Sequence, residues 1–220
     1  MTIQKKYDGI LFDLDGTLLN TLGIYTHIMN ELLKKNNFPT HTSKKYRKFI
    51  GNGAQNFIAQ CLPQNHRKEE TIMQIGKEFH LNYQNNYTTH SEVYTGILEL
   101  LETLQSTGKP IALLSNKSHE LTCKCAEHFF PTIKFKQIIG QSDSYKKPDP
   151  KGALAIANTL KLPLDKLVLV GDTEVDIVTA QNADIDSIAV TWGFRDEEEL
   201  KIVAPKYILS ETNQLKNYLL

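Results

Sequence analysis

The sequence predicts an α/β fold, a doubly wound parallel sheet with an all-helical segment inserted near its start. Three observations lead there. Short, continuous apolar runs alternate with stretches of helical length and spacing, the pattern of strands covered on both faces by helices. Several of these runs end abruptly in Asp, Ser or Gly-Asp. Between about Leu18 and Ser91, by contrast, the chain is rich in Asn, Gln, Lys and His, and its apolar residues recur only at helical spacing.

In chain order, Tyr7–Phe12 is the first strand. The insert comes next, with apolar positions at Ile28, Leu32 and Leu33, then Phe57, Ile58 and Cys61, then Ile72, Ile75, Phe79 and Tyr83. This spacing predicts roughly three to five helices. The insert joins the rest near Leu18–Leu22 and Ser91–Thr95, so residues 1–18 and 92–220 form an α/β core and 19–91 a helical cap domain. Beyond it, helices Ile97–Thr107, Ser118–Phe129, Lys151–Leu160 and Glu174–Asn182 alternate with strands Pro110–Leu114, Phe135–Ile139, Leu167–Val170, Ser187–Val190 and a weaker Tyr207–Leu209. Such alternation builds a sheet with helices on both faces.

Composition narrows the function classes. With 220 residues and 40% hydrophobic content, the chain can bury a core without disulfides or structural metal. Lys+Arg and Asp+Glu both number 25, so there is no basic excess of the kind that holds nucleic acid. No apolar run approaches the about 20 residues that span a bilayer. Met1–Lys6 carries two lysines, but Asp13 and Asp15 break the apolar stretch behind it, so it reads as neither signal peptide nor anchor. Three cysteines, Cys61, Cys123 and Cys125, make a disulfide framework improbable, and reduced thiols in a cytoplasm are expected.

In doubly wound sheets ligands bind outside the carboxyl ends of the strands. The residues just past each apolar run are therefore informative. Gly9-Ile10-Leu11-Phe12 leads into Asp13-Leu14-Asp15-Gly16-Thr17. Ser115-Asn116 comes after Ile111–Leu114, and Gly171-Asp172-Thr173-Glu174-Val175-Asp176 after Leu167–Val170. Lys147-Pro148 lies between those two. Four carboxylates, a lysine and a hydroxyl–amide pair would thus meet at one sheet edge. Singly they read as turn and helix-cap residues, and Lys147 as a surface residue. Together, four carboxylates in one cleft repel unless a hard cation such as Mg²⁺, which takes oxygen ligands, sits among them. A carboxylate can attack phosphorus to give an aspartyl-phosphate, and a neighbouring carboxyl can move the proton. Phosphoryl transfer asks for little beyond positioning and charge neutralisation.

In this order the segments resemble the motifs of the haloacid dehalogenase-like superfamily. Asp13-x-Asp15-Gly16-Thr17 resembles its first motif, Ser115 the second, Lys147 the third and Gly171-Asp172-x-x-x-Asp176 the fourth. Gly51-Asn52-Gly53 and Thr191-Trp192-Gly193-Phe194 are similar to its phosphoglycolate phosphatase branch. The resemblance implies Asp13 as nucleophile and metal ligand. It implies Asp15 as general acid/base, with its backbone carbonyl also on the metal. Asp172 and Asp176 would complete a Mg²⁺ site. Ser115 and Lys147 would bind the phosphoryl group, supported by Asn116 and backbone amides around Gly16. Where relatives often carry Asp, this chain has Asn20, which can cap the next helix equally well.

The expected activity is Mg²⁺-dependent hydrolysis of a small phosphomonoester, 2-phosphoglycolate first, without nucleic-acid or membrane partners. Three alternatives stay open. One is a sugar-phosphate phosphomutase, against which Thr17 speaks, because mutase relatives tend to carry Val there. The second is a pyrophosphatase or a generalist sugar or nucleotide phosphatase. The third is a non-catalytic phosphate-binding protein, which would be expected to have lost one of Asp13, Asp15 or Asp172.

Overall fold

The computed structural model describes residues 7–220; Met1–Lys6, expected to be no targeting signal, lies outside them. Six parallel strands form the main sheet: β1 (Gly9–Phe12), β4 (Ile111–Ser118), β5 (Gln137–Gln141), β6 (Leu167–Gly171), β7 (Asp186–Val190) and β8 (Tyr207–Leu209). Their spatial order is β5-β4-β1-β6-β7-β8. The chain starts in the middle, builds outward through β4 and β5, then returns to β6 on the other flank of β1. The order reverses at β1, and the crevice beside its carboxyl end is where such sheets bind ligands.

The strands alternate sides, and the two faces bury different helices. Ile10, Phe12, Ile111, Leu113, Val168 and Val170 pack on α5 (Ile97–Ser106), α6 (His119–Phe129) and α10 (Thr212–Leu219). Leu11, Ala112, Leu114, Leu167 and Leu169 pack on α7 (Lys151–Leu160) and α8 (Glu174–Asn182). Burial on both faces is why these strands read as unbroken apolar runs.

Between β1 and α5 the chain folds into α1 (Leu22–Lys35), α2 (Ser43–Phe49), α3 (Ala54–Cys61) and α4 (Glu69–Asn86). These helices enclose their own apolar cluster, including Ile28, Leu32, Leu33, Phe57, Ile58, Cys61, Ile75, Phe79 and Tyr83; Ile72 is only partly buried. Leu121 and Phe194 of the α/β portion join that cluster and tie the two together. A two-stranded antiparallel sheet, β2 (Leu19–Asn20) with β3 (Glu92–Val93), pairs the outgoing and returning chain.

Several boundaries differ from the sequence expectation. β4 runs on to Ser118 instead of ending at Leu114, with a register irregularity between Leu114 and Ser118. β5 starts at Gln137, not Phe135. The junction strands β2 and β3 are two residues each, too short for any periodicity. α10 went unrecognised because it buries only Leu215 and Leu219 among polar residues. The short α9 (Glu197–Lys201) carries the Glu197–Glu199 run, which faces mostly outward as expected. Asn20 is not the cap of α1, which is Thr21, although its Oδ1 accepts the Leu22 N–H at 3.4 Å.

All three cysteines are free. Cys125 is buried and Cys123 half-buried, as their spacing on a helix requires. Burial pushes the Cys125 thiol up to about 11, which leaves it unreactive. Among the described residues no helix is long and apolar enough to cross a membrane.

Candidate active site

β1 delivers Asp13, whose N–H donates to the Val170 carbonyl of neighbouring β6 at 2.9 Å. The chain then turns sharply: the Leu18 and Leu19 amides return to the Leu14 carbonyl at 3.0 and 2.9 Å. Gly16 makes the turn at φ 88°, and any Cβ there would overlap the Asp172 carboxylate. Its N–H donates to the Leu19 carbonyl at 2.7 Å, so what Gly16 visibly supplies is room.

β6 delivers Asp172, which is fully buried. One of its oxygens accepts the Thr17 hydroxyl at 3.0 Å, the other the Phe194 N–H at 2.7 Å. Asp172 does not cap α8. Thr173 does, in a capping box with Asp176, whose Oδ2 accepts the Thr173 N–H at 3.0 Å and its hydroxyl at 2.8 Å. The other Asp176 oxygen lies 2.5 Å from Lys147 Nζ. Lys147 is 4% exposed, no surface residue, and its ammonium also lies 2.8 Å from Asp13 Oδ1. Asn116 fixes the lysine's backbone: its Oδ1 accepts the Lys147 N–H at 2.8 Å and its Nδ2 donates to the Lys147 carbonyl at 3.0 Å. The amide nitrogen also reaches the Gly51 carbonyl at 3.3 Å.

Asp13, Asp172 and Asp176 each offer an oxygen within 4.8 Å of the others. Asp13 Oδ1 is buried at ion-pair distance from Lys147. Burial pushes the Asp13 carboxyl up to about 7; Lys147 opposes the shift and Asp176 adds to it. Burial and the charges of Asp176 and Asp13 hold Asp172 well above the usual carboxylate range. Burial works against the Lys147 charge, but Asp13 and Asp176 outweigh it and keep the ammonium protonated. One lysine cannot neutralise three buried carboxylates. The all-oxygen donor set suits a hard divalent cation.

Asp13, Asp15, Ser115, Asn116 and Lys147 line one cavity that opens to solvent. Asp172 and Asp176 lie behind that surface. The insert supplies the facing wall, mainly Tyr25, Phe57, Phe79 and Tyr83, with Gly51 and Gly53 at its edge. The Gly51-x-Gly53 segment is thus both the α2–α3 junction and part of the cavity. Trp192 packs on the core and donates to the Thr17 carbonyl at 3.0 Å.

The structure therefore gathers seven of the eight residues singled out in the sequence as side-chain groups at one sheet edge, with Gly16 as their spacer. Three contributors were not singled out: Thr17 as a donor to Asp172, the Phe194 amide, and Lys117. Lys117 is buried and donates to both oxygens of Asp15, at 2.8 and 2.6 Å.

Residues 10–190 match the model of the haloacid dehalogenase-like hydrolase family. The chain belongs to this family. Among similar proteins is the phosphoglycolate phosphatase of Aliivibrio fischeri, 28% identical over 213 residues, covering 94% of this chain and 93% of that one. A crystal structure of a predicted phosphoglycolate phosphatase from Haemophilus somnus superposes with a TM-score of 0.88 at 25% identity, covering 99% of each chain. A haloacid dehalogenase-like family hydrolase from Streptococcus pneumoniae gives 0.85 at 25% identity, covering 96% of this chain and 97% of that one. This family membership makes the cavity the place to look for hydrolytic chemistry.

Proposed function

We propose that the chain is a Mg²⁺-dependent phosphomonoester hydrolase working through an aspartyl-phosphate, with 2-phosphoglycolate as its substrate. The observation that carries this reading is Asp13. It sits at the switch point of the sheet, on the cavity wall, flanked by Lys147 and Ser115 and backed by Asp172 and Asp176. One relative named a phosphoglycolate phosphatase and one structure of a predicted phosphoglycolate phosphatase, both at near full length, support the substrate.

An Asp13 oxygen attacks phosphorus as the ester P–O bond breaks. Asp15 gives its proton to the departing alcohol oxygen. A water then attacks the phosphorus of the aspartyl-phosphate, Asp15 takes its proton, and phosphate leaves with Asp13 restored. Lys147 and Ser115 hold the phosphoryl oxygens, while Asn116 acts through the Lys147 backbone. Asp13, Asp172 and Asp176, with the Asp15 carbonyl, would hold Mg²⁺, which when bound neutralises charge on the phosphoryl group. Residues 19–91 act as a cap over residues 1–18 and 92–220, excluding bulk water and reading the leaving group. The free cysteines support a reducing compartment such as the cytoplasm.

The test is phosphate release, with and without Mg²⁺, from 2-phosphoglycolate, sugar phosphates, nucleoside monophosphates and pyrophosphate. Metal-dependent release dominated by 2-phosphoglycolate is expected. Isomerisation of a sugar phosphate without release would replace the reading with a mutase.

A further inference from the structure

Lys117 is assigned no role in the phosphoryl transfer itself, yet it lines the same cavity as a charge with a 2% exposed side chain. It sits on β4 two residues past Ser115. Its ammonium donates to both Asp15 oxygens and, at 2.8 Å, to the Tyr83 hydroxyl of α4. The Tyr83 and Tyr25 ring centroids stand 4.3 and 5.4 Å from the same nitrogen.

This arrangement has two consequences. The two oxygens that would serve the ester oxygen are both engaged by Lys117. An ammonium this enclosed also cannot be left without an anion, because an unpaired buried charge is strongly unfavourable. A neutral leaving group offers Lys117 nothing in exchange for Asp15, whereas a carboxylate does. Among the described residues lining the cavity, the other lysine, Lys147, is already held between Asp13 and Asp176. The insert also lines the cavity with Tyr25, Phe57, Phe79, Tyr83 and His80.

We propose that Lys117 is the specificity-determining residue: it selects phosphomonoesters whose alcohol carries a carboxylate, and capture of that carboxylate draws the ammonium off Asp15 and opens the Asp15 oxygens to the ester oxygen. The inference rests on the phosphatase reading. The geometry fits one small molecule meeting both groups. Lys117 Nζ lies 2.6 Å from the nearer Asp15 oxygen, and the carboxyl carbon of 2-phosphoglycolate is two bonds from its ester oxygen. The exchange moves the ammonium's hydrogen bonds from Asp15 to the substrate carboxylate, and the freed Asp15 takes up from solvent the proton that it then gives the ester oxygen.

The experiment compares kcat/KM for 2-phosphoglycolate, 2-hydroxyethyl phosphate and ethyl phosphate, with Mg²⁺, in the wild type, Lys117→Met and Lys117→Arg. A site whose buried polar group is left unpaired by an analogue discriminates strongly, so the wild type should prefer the carboxylate substrate by at least about 100-fold. Lys117→Met should shrink that preference to within about tenfold, and Lys117→Arg should restore most of it because the charge returns. The wild-type comparison stands even if Lys117→Met fails to fold. Turnover of all three esters at similar rates by the wild type, or an unchanged preference in folded Lys117→Met, would overturn the role of Lys117 and leave the phosphatase reading intact. No release from any of them would remove the phosphatase reading, and this inference with it.

Discussion

The Arg195 and Arg47 side chains each donate to a backbone carbonyl across the seam between the α/β core and the helical insert. Arg195 Nη1 donates to the Arg47 carbonyl at 2.7 Å, and Arg47 Nη2 donates to the Gly193 carbonyl at 2.5 Å. Arg195 also reaches the Ile50 carbonyl at 3.0 Å, and Glu174 anchors its guanidinium at 2.7 and 3.1 Å. The latch joins the segment that feeds the Phe194 amide to Asp172 with the segment that ends at Gly51 on the cavity rim. Arg195→Ala would strand buried carbonyls that now accept from a charged donor, a loss of about 2–3 kcal/mol. A drop in melting temperature of about 5–10 °C is expected for a chain of this size. Because the insert wall loosens, KM for 2-phosphoglycolate should rise more than kcat falls. A melting curve together with a kcat and KM split checks both.

Asp13→Asn should abolish turnover and, without metal, stabilise the protein at alkaline pH. The raised carboxyl sets the sign. The folded state holds a proton on Asp13 up to about pH 7, while the unfolded chain releases it near about pH 4. Stability of the metal-free wild type therefore falls as pH rises from about 4 through about 7, and the penalty is fully present above that. Asparagine has no charge to bury. In a chelator, its melting temperature should exceed that of the wild type by more at pH 8 than at pH 5. An equal difference at both pH values would show that the Asp13 charge is not the cause.

The legible and illegible parts of this fold divide by how far apart in the chain the interacting residues lie. β1 and β6 announce themselves because each is apolar on both faces and ends in an acidic motif. Asp13, Asp15, Asp172 and Asp176 are readable for the same reason: each falls a fixed step beyond a strand, and the strand ends converge. Lys147 sits at no strand end and in no periodic pattern, and as a lysine before proline it resembles a surface residue; only the motif order pointed to it. Lys117 carried no local signal. Asp15 stands on the far side of the insert in sequence and Tyr25 and Tyr83 lie within it; the pairing of β1 with β4 brings the first to Lys117, and the folding of α1 and α4 over β4 brings the other two. The Arg47–Arg195 exchange is hidden likewise, since it joins side chains to backbone carbonyls, which have no residue identity.

Metal binding should strengthen with pH. Asp13, at about 7, and Asp172, raised by burial, must lose their protons to serve as ligands, so binding releases protons. Each proton released makes the affinity change by about tenfold per pH unit until its group is already ionised. Calorimetric titration with Mg²⁺ should show a steep gain up to about pH 7, with Asp13 contributing little to the slope beyond it. Chelation should abolish activity and lower the melting temperature, because the cation binds the folded state alone.

Lys147→Met separates the two duties of this lysine, neutralising carboxylates and holding phosphate. Removing one partner of a buried ion pair leaves an uncompensated charge, a loss of about 3–5 kcal/mol. Here Asp176 and Asp13 are both left, behind a side chain of similar length. The metal-free variant should therefore melt well below the wild type. The carboxylate cluster becomes more negative by one charge, so saturating Mg²⁺ should raise the variant's melting temperature by more than it raises the wild type's. Turnover should stay lost even in the metal-stabilised variant, because nothing replaces the ammonium that faces the phosphoryl oxygens. Recovery of activity with Mg²⁺ would reduce Lys147 to a structural counterion; a Mg²⁺-induced shift no larger than the wild type's would remove Asp176 and Asp13 from the metal site.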